Sequence, residues 1–331
     1  MATKTATVNA SDVPATQTNF PAYVDLSRVG ITTLAEAQSV RCYSDEAKTT
    51  ELAREIVSAT EMHVKIPSLT STFQIWVDYD GVRSDYAVTD TYGRNAVWSD
   101  YDFVSHDGGG TDSTGNHTTS NTGSLSAGGV SGQLGTATDF NGSSQFFSID
   151  SYYGPQGSGD KFTSAWINTS QASAGAIIQM GDGGATGQDW MFRGEDNDIW
   201  GRFSSATIAL VTDFNDGNWH LVRLVQTGTT LADMKLYSDT AVQNGSGSTV
   251  ISHTNTADEV RIGNRQAAAS YFDGVIDEVR IAAFDSSGNW HTTEYNNQSD
   301  EAGFWGTWTT AGGGGGGGAA ADNAPFAGGG I

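Results

Sequence analysis

The stretch FDGVIDEVRI, Phe272 to Ile281, sets two adjacent carboxylates, Asp277 and Glu278, inside an apolar run, and its reading decides the fold. In an extended strand neighbouring side chains point to opposite faces. On that geometry Asp277 shares a face with Val275, Val279 and Ile281, while Glu278 lies with Phe272, Ile276 and Arg280. The pair therefore does not converge on one substrate. An acid among valines needs a partner, because an unpaired buried carboxylate is costly. Asp277 thus reads as a hydrogen-bonded residue of a buried strand, with metal ligation as the alternative.

The same strand rhythm extends upstream through ATDFNGSSQFFSI, FTSAWINTS, GAIIQMG, DWMFRG, IWGRFS, ATIALVTD, NWHLVRLVQTG and DEVRIGNR. Short strands divided by Gly, Asn, Asp and Ser are the pattern of a two-sheet sandwich or jelly roll. Nearer the start, FPAYVDLS, EMHVKIP and FQIWVDYDG alternate in the same way and predict a separate small β-sandwich over residues 1–98. LAEAQS predicts a helical turn or two, and KTTELAREI either that or a strand connection. Residues 105–135 are polar and glycine-rich and predict loop or short edge strands. The last stretch, AGGGGGGGAAADNAPFAGGGI, holds seven consecutive glycines, which bury too little apolar surface to offset the entropy of ordering them. The expected organisation is a sandwich at 1–98, a jelly roll at 99–300 with its linker and first edge strand at 99–135, and a flexible tail at 301–331.

Composition narrows the function classes. The net charge of -22, with only 16 Lys and Arg and no basic run, argues against nucleic acid and anionic membranes as partners. Cys42 is the only cysteine, so no internal disulfide forms. No apolar run is long enough to span a bilayer, and the first residues lack the apolar centre of a signal peptide.

The ordered motifs ATDFNGSSQFF, FTSAWINTS, DGNWHLVRL, VRIGNR and YFDGVIDEVRI resemble the laminin-G-like, concanavalin A-type jelly roll, a family that includes pentraxin-like modules. The resemblance covers about residues 112–281. FPAYVDLS, FQIWVDYDG and TYGRNAVWSDY look like the uncharacterised sandwich domain that often precedes this module, and EYNNQSD like the closing stretch of the pair. Such pairs occur in prokaryotic surface proteins and phage virion proteins. The chain departs from the pattern in two places: it has no cysteine pair, and the loop GNRQAAAS lacks the acids with which pentraxin-like modules hold calcium.

The resemblance implies a ligand edge between GDGGATGQD and GNRQAAASY, with Asp182, Trp190, Asn264, Arg265 and Tyr271 as its candidates. Trp200, Tyr152 and Tyr153 are further rings placed to stack on a sugar. A structural calcium held by Asp112, Asn116 and Asp277 is the candidate metal site, and no other cofactor is expected. Glycosidases on this fold set acids at alternate strand positions. EDND, Glu195 to Asp198, comes nearest but reads as a hairpin turn. The histidines, His63, His106, His117, His220, His253 and His291, are dispersed without a metal-binding motif.

These readings favour a non-enzymatic all-β protein: a phage virion fibre, spike or decoration subunit, located in the virion and recognising a surface or glycan. Its partners would be other virion proteins or copies of itself in a homo-oligomer. A cell-surface carbohydrate-binding adhesin and a jelly-roll glycoside hydrolase are the alternatives.

Overall fold

A computed structural model describes residues 2–181, 189–266 and 270–311. Among these the strands form four sheets of five, eight, seven and three strands. The five- and three-stranded sheets make the N-terminal sandwich, closed over Phe20, Val24, Val64, Ile66, Ile75 and Val77. The eight- and seven-stranded sheets make a jelly roll around Phe140, Phe147, Ile178, Phe192, Leu224, Ile276, Val279 and Ile281. The predicted helical turn is Leu34–Gln38, started by a capping box between Thr33 and Glu36. KTTELAREI takes the strand option, as Glu51–Leu52 and Arg54–Ile56.

Strand Asp273–Ala282 is central in the eight-stranded sheet, between Thr136–Asn141 and Lys161–Asn168. Its alternation breaks at a bulge. Ser164 pairs with Arg280 and Trp166 with Asp277, so Glu278 and Val279 together oppose Ala165. Glu278 has φ 49°, in the left-handed region that a non-glycine residue enters at a cost of about 1–3 kcal/mol. The extra residue corrects the faces expected of a regular strand. Ile276, Val279 and Ile281 all enter the jelly-roll core. Asp277, directly opposite Trp166, and Glu278, bonded to Arg280, lie on the outer side of the sheet.

That outer side is covered. Helix Asn289–Ser299 crosses it and turns a polar face inward. Glu294 meets Arg223 and Arg280, and Gln298 accepts a 2.6 Å bond from the Trp166 indole. Asn297 accepts from the Tyr23 N–H at 2.7 Å and donates to the Tyr23 carbonyl at 3.0 Å, taking the place of a neighbouring strand at that edge of the N-terminal sandwich.

The segment after Asp300, expected as tail, is in its first part a component of the N-terminal sandwich. Helix Glu301–Trp305 buries Phe304 and Trp305 in that core, and Thr309–Thr310 pairs with strand Ala2–Thr7. The two aromatics are the reason: a ring pair this apolar is more stable packed than solvated. The polyglycine run lies outside the described residues.

Candidate functional site

The densest chemistry in the molecule sits where the two sandwiches meet. Strand Glu61–Leu69 brings Glu61 and His63 to the boundary two residues apart, hence on one face. His106 follows the short strand Phe103–Ser105, whose pairing with Asp273–Ala282 sets it against the bulge. There its Nδ1 lies 2.5 Å from Glu278 Oε1 and its Nε2 3.1 Å from Glu55 Oε2. His63 stacks on His106 with centroids 4.4 Å apart and rings 19° from parallel. Its Nε2 lies 3.3 Å from Glu61 Oε1 and 3.8 Å from Glu278 Oε1. All five residues are buried.

A wider ion network surrounds them. Arg280 spans Glu278 at 2.5 Å and Glu294 at 2.8 Å, and Glu294 also binds Arg223. Glu55 receives the Ser113 hydroxyl at 2.7 Å and the Trp98 indole N–H. Burial opposes charge on each group, and the partners decide which groups keep it. His106 is pushed well above the ordinary imidazole range by Glu278 and Glu55, despite its burial. Burial favours the neutral form of Glu278, but His106 and Arg280 hold its carboxyl low. Burial dominates at Glu61, whose carboxyl is pushed up to about 8. At His63 burial and then the charge of His106 hold the imidazole well below its usual range. Asp277 is raised by burial and by Glu278 beside it.

A pocket of about 390 Å³ opens beside this cluster, lined by Arg54, Glu55, Asp85, Tyr86, Arg94 and His106 among others. It reaches the network through Glu55 and His106.

Of the residues proposed from sequence for the ligand edge, the structure brings Asn264 and Tyr271 together as an antiparallel bridge and places Trp190 in the core. Trp190 is wholly buried in the jelly-roll core, its indole donating to the Thr163 hydroxyl at 3.2 Å, so no sugar reaches its face. The reason is its position opposite Phe203 in a two-sided strand pair, where an inward ring fills core space. Asn264 is buried and accepts from Arg261 at 3.0 Å, which makes it part of the loop's frame. Arg265 and Tyr271 are half-buried. Asp182 lies outside the described residues.

The calcium trio also fails to converge. Both Asp112 oxygens accept backbone N–H groups of the Asp112 loop, from Thr114 at 3.0 Å, Asn116 at 3.0 Å and His117 at 2.9 Å, as well as Val104 at 3.2 Å. Asn116 turns its amide donors toward the carbonyls of Tyr101 and Asp102. Asp277 accepts from Leu134 at 2.9 Å and Glu278 at 2.8 Å. Oxygens committed to N–H donors on separate segments do not fit a calcium shell. EDND is the expected turn: Glu195 pairs with Asp198 across Asp196 and Asn197, both at positive φ. The histidines are dispersed along the chain, yet His63 and His106 are stacked in the fold. The only local trace of this is the spacing Glu-x-His in EMH.

The two large sheets define a concanavalin A-like jelly-roll domain. Residues 141–285 match the family profile described as the concanavalin A-like lectin/glucanases superfamily. Among solved structures the chain is similar to the binding domain of botulinum neurotoxin serotype D (TM-score 0.43, 12% identity, 60% of this chain and 51% of that one). It is also similar to the binding domain of Paraclostridial Mosquitocidal Protein 1 (TM-score 0.44, 12% identity, 60% and 51%). A third is domain 4 of AbnA, an extracellular arabinanase of Geobacillus stearothermophilus solved with arabinotriose (TM-score 0.45, 16% identity, 59% and 97%). The chain spans about half the length of the toxin domains it matches. No curated protein matches the sequence. Among the described residues no helix is long and apolar enough to cross a membrane.

Proposed function

We propose that the protein is a non-enzymatic recognition subunit whose jelly roll is presented on a rigid two-domain block, and that it serves as a fibre, spike or decoration component of a phage particle. The observation that carries the reading is how the acids are used. Asp277 and Glu278, the residues most suggestive of acid/base work, are built into the domain boundary by the bulge. Glu195 and Asp198 flank a turn. A sheet face given over to a buried ion network holds two sandwiches in one orientation, which suits a subunit that displays a surface. The polyglycine stretch in the sequence favours tethering to a larger assembly. Recognition is assigned to the loop rim carrying Arg265 and Tyr271, where half-buried planar groups are available to a glycan.

The test is the mass of the native full-length chain by light scattering, beside a chain ending at Ala311, with glycan-array binding of both. Oligomers that require the last residues support the virion assignment. A monomer indifferent to truncation that binds glycans favours the adhesin reading. Glycan binding unchanged in Arg265→Ala and Tyr271→Ala would remove the rim from the proposal.

A further inference from the structure

We propose that Glu61, His63, His106 and Glu278 form a four-ligand site for a divalent transition-metal ion of the zinc type, which ties the N-terminal sandwich to the jelly roll. One ligand atom from each of the four lies within 4.8 Å of all the others. Tetrahedral zinc with bonds of about 2.0–2.2 Å sets its ligands about 3.3–3.6 Å apart. Three of the separations here, 3.3 Å for His63 to Glu61 and 3.8 Å for His63 to Glu278 and for His106 to Glu61, are close to that edge. One further separation of the six, His106 to Glu278, is a 2.5 Å hydrogen bond whose proton the ion would replace.

The donor chemistry agrees. Two imidazole nitrogens with two carboxylate oxygens suit zinc and its neighbours, where calcium and magnesium take oxygen alone. The surroundings of His106 supply what a metal-binding histidine usually has. The Nε2 of His106 is held on Glu55, which leaves Nδ1 facing the cluster, and Glu55 is itself fixed by Ser113 and Trp98. Arg280 orients Glu278 through its other oxygen.

A second observation comes from His63. Its ring is fully buried, its Nδ1 has no hydrogen-bond partner among the described residues, and its Nε2 is aimed at the two carboxylate oxygens. The polar contacts of this buried imidazole therefore lie on the cluster side, where a ligand nitrogen would sit. Ligation through Nε2 gives it a role. The pocket bordered by His106 and Glu55 supplies a route for the ion from solvent. Glu61 and His63 come from the N-terminal sandwich and Glu278 from the jelly roll, so the bound ion would cross-link the two and stabilise folded protein in proportion to its occupancy.

The experiment strips full-length protein with a chelator, adds zinc, desalts, and measures metal content and the X-ray absorption of the bound ion. The expected result is about one equivalent retained, with two imidazoles in its shell and a Tm several degrees above that of the stripped protein. Glu61→Gln and His63→Gln should each lower retention at least about tenfold. The charge of -22 makes adventitious binding the rival. Folded protein that retains no zinc, or zinc whose shell contains one imidazole or none, overturns the proposal. Because the absorption spectrum is recorded on the wild-type chain, it discriminates between these outcomes even where a variant fails to fold.

Discussion

His106 Nδ1 and Glu278 Oε1 lie 2.5 Å apart although 172 residues separate them in the chain. The contact joins a loop after a three-residue strand to the bulge of a central jelly-roll strand, and Glu55 of the N-terminal sandwich holds the other side of the ring. The domain boundary is thus a buried charged interface. Such interfaces are sensitive to the loss of one member, because the remaining charge is stranded away from water.

Glu294→Gln measures that sensitivity. Glu294 serves Arg223 and Arg280, both buried. The substitution leaves two guanidinium groups sharing a neutral acceptor and should cost about 3–5 kcal/mol of unfolding free energy by urea denaturation. A loss below about 1 kcal/mol would show that water reaches these groups.

Asn297→Ala removes the side chain that completes the Tyr23 backbone. The Tyr23 N–H loses its acceptor and the Tyr23 carbonyl keeps only the Trp305 indole, in a half-buried setting. The expected cost is about 2 kcal/mol, with faster hydrogen exchange at the Tyr23 amide. Unchanged exchange there would mean that another group takes over the edge.

Trp305→Ala tests whether residues 301–310 belong to the fold. Trp305 is fully buried in the N-terminal core and its indole donates to the Tyr23 carbonyl at 2.8 Å. The loss should be about 3–5 kcal/mol, as for other buried aromatic truncations. A chain ending at Asp300 should fail to give a cooperative thermal transition, and one ending at Ala311 keeps every contact named here.

Glu301 predicts a pH dependence. Burial raises its carboxyl from 4.5 to about 7, outweighing the bond to Arg28. Between those values the folded state holds a proton that the unfolded state has released. The contribution is therefore complete below about pH 4.5 and lost as pH rises through about 7. Its size is on the order of 3 kcal/mol. Glu301→Gln should flatten the fall in Tm between pH 5 and about 7.5, and an identical slope in both proteins would show that Arg28 keeps Glu301 ionised throughout.

Much of the fold was legible from local pattern. Alternation gave the strands, LAEAQS was readable as the helical turn found at Leu34–Gln38, and EDND was readable as a turn because its central residues tolerate positive φ. Helix Asn289–Ser299 was not legible, since its buried residues, Trp290, His291, Thr293, Glu294, Asn297 and Gln298, are mostly polar and give no apolar stripe. The bulge at Glu278 left no mark either. No glycine stands there, and the left-handed backbone is held by the partners of the side chain.

By itself the sequence determined an all-β chain with two sandwiches, because side-chain alternation and turn residues are properties of neighbours. It also required a partner for Asp277, because an acid inside an apolar run is costly to bury alone, but the face it occupies was decided by the bulge. Tertiary structure alone decided which acids meet which bases. Glu55, Glu61 and His63 come from one sandwich, His106 from the segment between, Glu278 and Arg280 from the jelly roll, and Glu294 from the closing helix. Electrostatic pairing in a buried boundary depends on distances of a few ångströms between residues far apart in the chain, and no local pattern encodes those distances.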